Sequence, residues 1–256
     1  MFQTIVNAFK IKEVRRKILI TIALLFVYRL GCYIPVPGVS AFKGLEDFSL
    51  LQIMNAVSGS ALSLGTFFAM GIGPYINASI IIQLLSVGIP ALERLSKQGE
   101  EGKKRINMYT RILTLVLAIA QSIGIIITFA NADSIQFGQL FGGEGFGKFM
   151  SYAFLVIVYA TGASLTMWIG ERITDYGVSN GISLLIFAGI ISTAGTLIAA
   201  EVQKLFDPAT AQTSIWVLIG FFAAAIIIFA AIVTVNSAER KIPVQYAKQV
   251  KGRKMY

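Results

Sequence analysis

At 256 residues, 55% hydrophobic and with a mean hydropathy of +0.72, the chain is too apolar for a soluble domain and long enough for several spans of about 20 residues each. Its net charge of +9 sits in short basic clusters between apolar runs, which signals membrane topology and not a nucleic-acid footprint. A single cysteine, Cys32, leaves no internal disulfide, and the absence of His removes any Cys/His metal set and the commonest general base, so neither a cofactor nor an enzyme is expected.

The first apolar run covers residues 18–36. It ends in Tyr33-Ile34-Pro35-Val36-Pro37 without a small-residue cleavage pattern, so it reads as a span and not as a removable signal peptide. Arg29 lies inside it, about two turns from Pro37. Its charge either faces a partner inside the protein or snorkels to the surface, and sequence alone assigns it no role.

The next stretch, SGSALSLGTFFAMGIGPYINASIIIQLLSVGIPAL over residues 58–92, is apolar, yet its first half is too rich in Gly and Ser for an ordinary span. Residues 61–69 are expected to form a short half-helix. Gly71, Gly73 and Pro74 then redirect the chain, and Pro74 opens a second span over 74–92. Backbone groups cannot be left unpaired in lipid, so such a broken, re-entrant segment has to be sheltered by protein or line a watery cavity. Ile72 and Ile76, four residues apart, share a face if Ile72 joins the helix.

Further spans are expected at 112–130, 152–170, 181–200 and 215–235. The fifth follows the turn Gly177-Val178-Ser179-Asn180-Gly181, and at its start Ile182 and Ile186 repeat the four-residue spacing. Taken alone, such isoleucine pairs are ordinary helix packing. The Lys and Arg residues outside the spans fall on alternating sides, eighteen on one face against three on the other. Both termini are therefore expected in the cytoplasm, with the loops around Glu46, Asp133 and Asp207 outside. The expected fold class is an all-α polytopic membrane protein of six transmembrane helices plus a re-entrant half-helix.

The segments GIGPYINASIIIQLL and SGSALS, the loop KQGEEGKKRINMY, LVLAIAQSIGI, MWIGERIT followed by GVSNGISLLIFAGI, and the tail KIPVQYAKQVKGRKMY together resemble the bacterial SecY family, in order and across nearly the whole chain. SecY is the central subunit of the protein-conducting Sec translocon. Hydropathy does not reach this name.

The resemblance implies a channel subunit of the bacterial plasma (inner) membrane that moves unfolded secretory polypeptides across and releases transmembrane segments into lipid. Ile72, Ile76, Ile182 and Ile186 match the aliphatic ring at the waist of an hourglass pore, where an apolar constriction gates by dewetting and fits loosely around any polypeptide. Ser60, Ala61, Leu62, Ser63, Leu64, Gly65, Thr66, Phe67, Phe68, Ala69 and Met70 match the plug that closes the outer funnel, and their small side chains suit an element that packs weakly and moves. Asn77 and Gln121 match polar positions of the lateral gate, where a hydrogen bond across a helix seam is worth only about 1 kcal/mol. Arg240, Lys241, Lys248, Lys251, Arg253 and Lys254 match the start of a cytoplasmic loop that docks the ribosome or the SecA motor, a contact that salt weakens. These bases also serve as a topology signal. The implied partners are SecE, SecG, SecA, the ribosome, signal sequences, nascent chains and membrane lipid.

On this reading residues 1–200 form the N-terminal half of the pore, and 201–256 hold the sixth span and the start of the basic loop. The family has ten spans in two inverted halves, so the chain is expected to be part of a longer protein. Two other readings stay open: a secondary transporter with a broken-helix site, against which stands the lack of Asp or Glu within the spans, and a non-conducting membrane fragment.

Overall fold

The structure, a computed structural model, describes residues 10–42, 49–132, 134–136, 140–141, 144–206, 211–239, 250–251 and 254–255. The predicted outer loops around Glu46, Asp133 and Asp207 lie outside the described residues. The helices are α1 (Lys12–Gly31), α2 (Ser49–Ser58), α3 (Gly73–Gly88), α4 (Pro90–Ser96), α5 (Glu100–Asn131), α6 (Gly145–Tyr176), α7 (Gly181–Lys204) and α8 (Ala211–Asn236). The chain divides into two compact units, Met1–Thr196 and Leu197–Tyr256.

Among the described residues four helices, α5 to α8, are long and apolar enough to cross a membrane, and the bent pair α3–α4 makes a fifth if it counts as one span. The expected count of six is thus reproduced only in part. Lys12, Arg15, Arg16, Lys17 and Arg29 all lie on α1, which keeps that helix out of the set. Moreover, α1 stops at Gly31, five residues short of the predicted end. Pro35 and Pro37 cannot continue a helix, and Pro35 instead forms an isolated antiparallel bridge with Thr66.

The second expected span is also broken. Pro90 forces Ile89 into extended backbone (φ −107°, ψ 114°), and α4 leaves α3 at an angle of 105°. Beyond it, α5 begins at Glu100, so most of the basic stretch read as a loop is the first three turns of a 32-residue helix. The last two expected spans match α7 and α8 closely.

The largest correction concerns the half-helix. Residues 61–69 are not helical: they form a chain of tight turns, and the helix of this region is α2, ten residues that the sequence reading left unassigned. α2 ends in a Schellman motif: Gly59 N–H donates to the Ala56 carbonyl (3.3 Å) and Ser60 N–H to the Asn55 carbonyl (2.9 Å). That geometry requires the left-handed φ of Gly59 (+69°), and Ser60 follows it with a φ of +70°. A helix running on through residue 61 is excluded by this stop.

Within the first unit α5 packs along α3 and α6, and α1 along α6. Two apolar clusters make up the core. One gathers Phe42, Leu62, Met70, Ile126, Phe129, Leu155 and Tyr159; the other gathers Tyr28, Cys32, Ala61, Phe68, Ile72, Ile173 and Leu185. Residues 60–70 feed both clusters, with Ala61 and Leu62 fully buried. Their backbone is pinned to the segment after α1 by Phe67 N–H to the Ile34 carbonyl (3.0 Å), Val36 N–H to Gly65 (3.2 Å) and Phe42 N–H to Ser63 (2.8 Å). The small side chains therefore serve close packing, contrary to the expectation of a weakly packed element. Gly162 of α6 shows why: a Cβ there would overlap the Phe67 carbonyl oxygen.

In the second unit, Glu201 near the end of α7 accepts hydrogen bonds from Lys204 Nζ (2.6 Å) and Ser214 Oγ (3.3 Å), tying α7's last turn to the start of α8. Two residue pairs of the tail, Val250–Lys251 and Lys254–Met255, form a short antiparallel hairpin, a strand element that an all-α expectation does not contain.

Candidate functional site

Ile72 precedes α3 as its N-cap, with φ −92° and ψ 0°, and Pro74 opens the first turn. The Ile72 carbonyl accepts the Ile76 N–H at 3.1 Å, so the two side chains sit one helical turn apart. Ile182 and Ile186 occupy the first two turns of α7. That helix is started by Asn180, whose Oδ1 accepts the N–H groups of Ile182 (3.0 Å) and Ser183 (3.4 Å).

The approach of α7 to α6 is set by glycine. A Cβ on Gly181 would overlap the Gly170 carbonyl oxygen, and Thr174 Oγ1 accepts the Gly181 N–H at 2.9 Å. Thr21 of α1 holds the same turn by accepting the Val178 N–H (3.2 Å). These contacts bring the two isoleucine pairs together: Ile72 is 3% exposed in the second core cluster, and Ile76, Ile182 and Ile186 pack against that cluster, half-buried. More than a hundred residues of chain separate the two pairs.

A cavity of about 510 Å³ opens beside the first pair. Its wall contains Ile72 and Ile76, Met54 and Val57 of α2, and both predicted gate residues, Asn77 of α3 and Gln121 of α5. No hydrogen bond joins Asn77 to Gln121 among the described residues. Gln121 Oε1 is instead buried without a partner, an unmet acceptor and thus a local energetic cost.

Arg29 faces inward. Its Nη2 donates to Ser192 Oγ of α7, its guanidinium carbon lies 5.6 Å from the Tyr33 ring centroid, and its Nη1 is buried without a hydrogen-bond partner. The structure thus decides between the two placements that the sequence left open. The partner, Ser192, lies 163 positions away, and a single serine in an apolar helix carries no sequence signal that would have found it.

Among the basic tail residues, Arg240, Lys241, Lys248 and Arg253 lie outside the described residues. Lys251 and Lys254 are register partners in the terminal hairpin.

Comparison with known proteins gives the family. The SecY family model matches residues 66–256. Protein translocase subunit SecY of Lactococcus lactis subsp. cremoris is 41% identical over 257 residues, covering 98% of this chain and 57% of the relative. The subunit of the same name from Thermus thermophilus is 39% identical, covering 100% of this chain and 58% of the relative. Two solved structures share the fold at 21% identity: "The structure of a protein conducting channel", with TM-score 0.55 over 94% of this chain and 52% of that one, and Sec61 in the canine ribosome-channel complex from the endoplasmic reticulum, with TM-score 0.54 over 90% and 49%. The chain spans somewhat over half the length of the curated relatives it matches. With a family model over most of its length and relatives at about 40% identity throughout, this chain belongs to the SecY family.

Proposed function

We propose that this chain supplies the N-terminal part of a protein-conducting channel, a non-enzymatic subunit that passes unfolded polypeptides across a bacterial inner membrane and releases apolar segments sideways into lipid. The observation that carries the reading is the convergence of Ile72, Ile76, Ile182 and Ile186 on one apolar cluster beside a cavity. Four isoleucines from two distant stretches make part of a constriction that water leaves readily and that binds no particular side chain. Six crossings with both termini inside, as the basic clusters require, orient that constriction.

The movable seal on this reading includes α2, whose first half is largely exposed, together with residues 60–70, whose backbone is pinned into both core clusters. Asn77 and Gln121 line the seam through which an apolar segment leaves. The basic tail, Arg240 to Lys254, docks a ribosome or the SecA motor, and SecE and SecG complete the membrane assembly.

A photoreactive side chain at Ile186 of the full-length assembly tests the reading. A secretory chain stalled in transit should crosslink to position 186 and not to position 191, an exposed residue on another face of α7. Equal labelling at both positions overturns it.

A further inference from the structure

Three elements meet around one half-buried cation, Arg29, whose Nη1 is fully out of solvent. Arg29 of α1 donates to Ser192 of α7, and a Cβ on Gly59, the residue that ends α2, would overlap Arg29 Nη1. At the same place a Cβ on Gly189 of α7 would overlap the Val57 carbonyl oxygen of α2, and Thr193 Oγ1 of α7 donates to the Ala56 carbonyl at 3.2 Å. The C-terminal end of α2 is therefore clasped between α1 and α7. Its N-terminal half, by contrast, is largely exposed.

No carboxylate pairs with Arg29 among the described residues. A half-buried cation without an acid is costly; beside the Tyr33 ring, the C-terminal end of α2 offers a favourable potential, because the last carbonyls of a helix carry its partial negative charge. Gly59 has no side chain, and the guanidinium occupies the space a Cβ would fill.

We propose that Arg29 is a positioning residue that latches α2: its charge holds the helix's C-terminal end, and its bond to Ser192 holds that end against α7, the helix that carries Ile182 and Ile186. Loss of the latch frees α2 to swing about Gly59 and Ser60. The consequence for sealing rests on the channel reading above; the latch does not.

The test uses the full-length assembled protein in lipid vesicles, with hydrogen exchange of backbone amides read by mass spectrometry. R29Q should raise exchange over residues 49–58 about tenfold, the scale of one half-buried charge at a helix C-terminus, while α5 and α6 stay protected. R29K, which keeps the charge, should restore most of the protection. If R29Q fails to assemble, S192A keeps the charge in place and should still raise exchange over 49–58 alone. Unchanged exchange over 49–58 in R29Q or, where that variant does not assemble, in S192A overturns the latch, as does a rise spread equally over α5 and α6. Ion leak through the same vesicles separates the two proposals: faster exchange in α2 with no added leak supports the latch and counts against the channel reading.

Discussion

Asn180 and Ile182 are joined by a 3.0 Å hydrogen bond from the Ile182 backbone N–H to the Asn180 side-chain oxygen, so the residue that starts α7 also fixes the direction in which its first isoleucine points. N180A should cost about 1 kcal/mol of stability, the usual worth of an N-cap, while N180D should retain nearly all of it. Thermal unfolding of the purified protein in detergent measures both. Equal loss in the two variants would assign the effect to something other than the cap.

At Ile186 a polar side chain of similar size tests the constriction by wetting it. I186N in the full-length assembly should raise resting ion conductance and relax the requirement for an intact signal sequence, because water then enters the waist at lower cost. Planar-bilayer recording and export of a signal-defective substrate read the two effects. Wild-type values in both would remove Ile186 from the ring.

Two apolar truncations separate the buried turns from the helix before them. Leu62 is fully buried and Ile53 is 63% exposed, so L62A should cost about 2–5 kcal/mol whereas I53A should cost under about 0.5 kcal/mol. Chemical unfolding in mild detergent gives both values. Similar small losses would return residues 60–70 to the status of a loosely held element.

Topology follows from the eighteen-to-three asymmetry of basic residues. With Cys32 replaced, a cysteine at exposed Gln98 should react with an impermeant reagent only from the cytoplasmic side, and one at exposed Glu144 only from the outer side. Labelling at residue 98 from outside reverses the assignment.

In the basic tail, reversing Arg253 and Lys254 to Glu should weaken ribosome or SecA binding to the full-length assembly without inverting the protein, since Arg240 and Lys241 still mark the inner side. Binding should also fall steeply with added salt. Normal affinity at low and moderate salt would leave Arg253 and Lys254 a topological role only.

The sequence made the long helices legible because an apolar run flanked by charge has few alternatives in a membrane. It reached Ile72, Ile76, Ile182 and Ile186 through family resemblance, and their shared cluster came into view only once Asn180 and the Gly170–Gly181 contact placed α7 against α6. What stayed hidden depends on local competition or on distance in the chain. The string SALSLGTFF looks as fit for a half-helix as SLLQIMNAVS, and the stop at Gly59 and Ser60 decides between them through backbone geometry that composition does not encode. Arg29 and Ser192 illustrate the second kind: a cation and a hydroxyl 163 positions apart find each other only after two helices have packed.

The sharp turn at Pro90 has a mechanical meaning. On the topology proposed here α3 stands across the bilayer, so a 105° bend lays α4 close to the plane of the inner surface, where Glu93, Arg94 and Lys97 remain in water. A short charged helix lying flat cannot be drawn into hydrocarbon, and its Leu95 carbonyl is held against α5 by the missing side chain of Gly102. The bend thus works as a float. On that topology it resists displacement of α3 toward the outer face, because an outward pull on that helix has to lift Glu93, Arg94 and Lys97 out of water first.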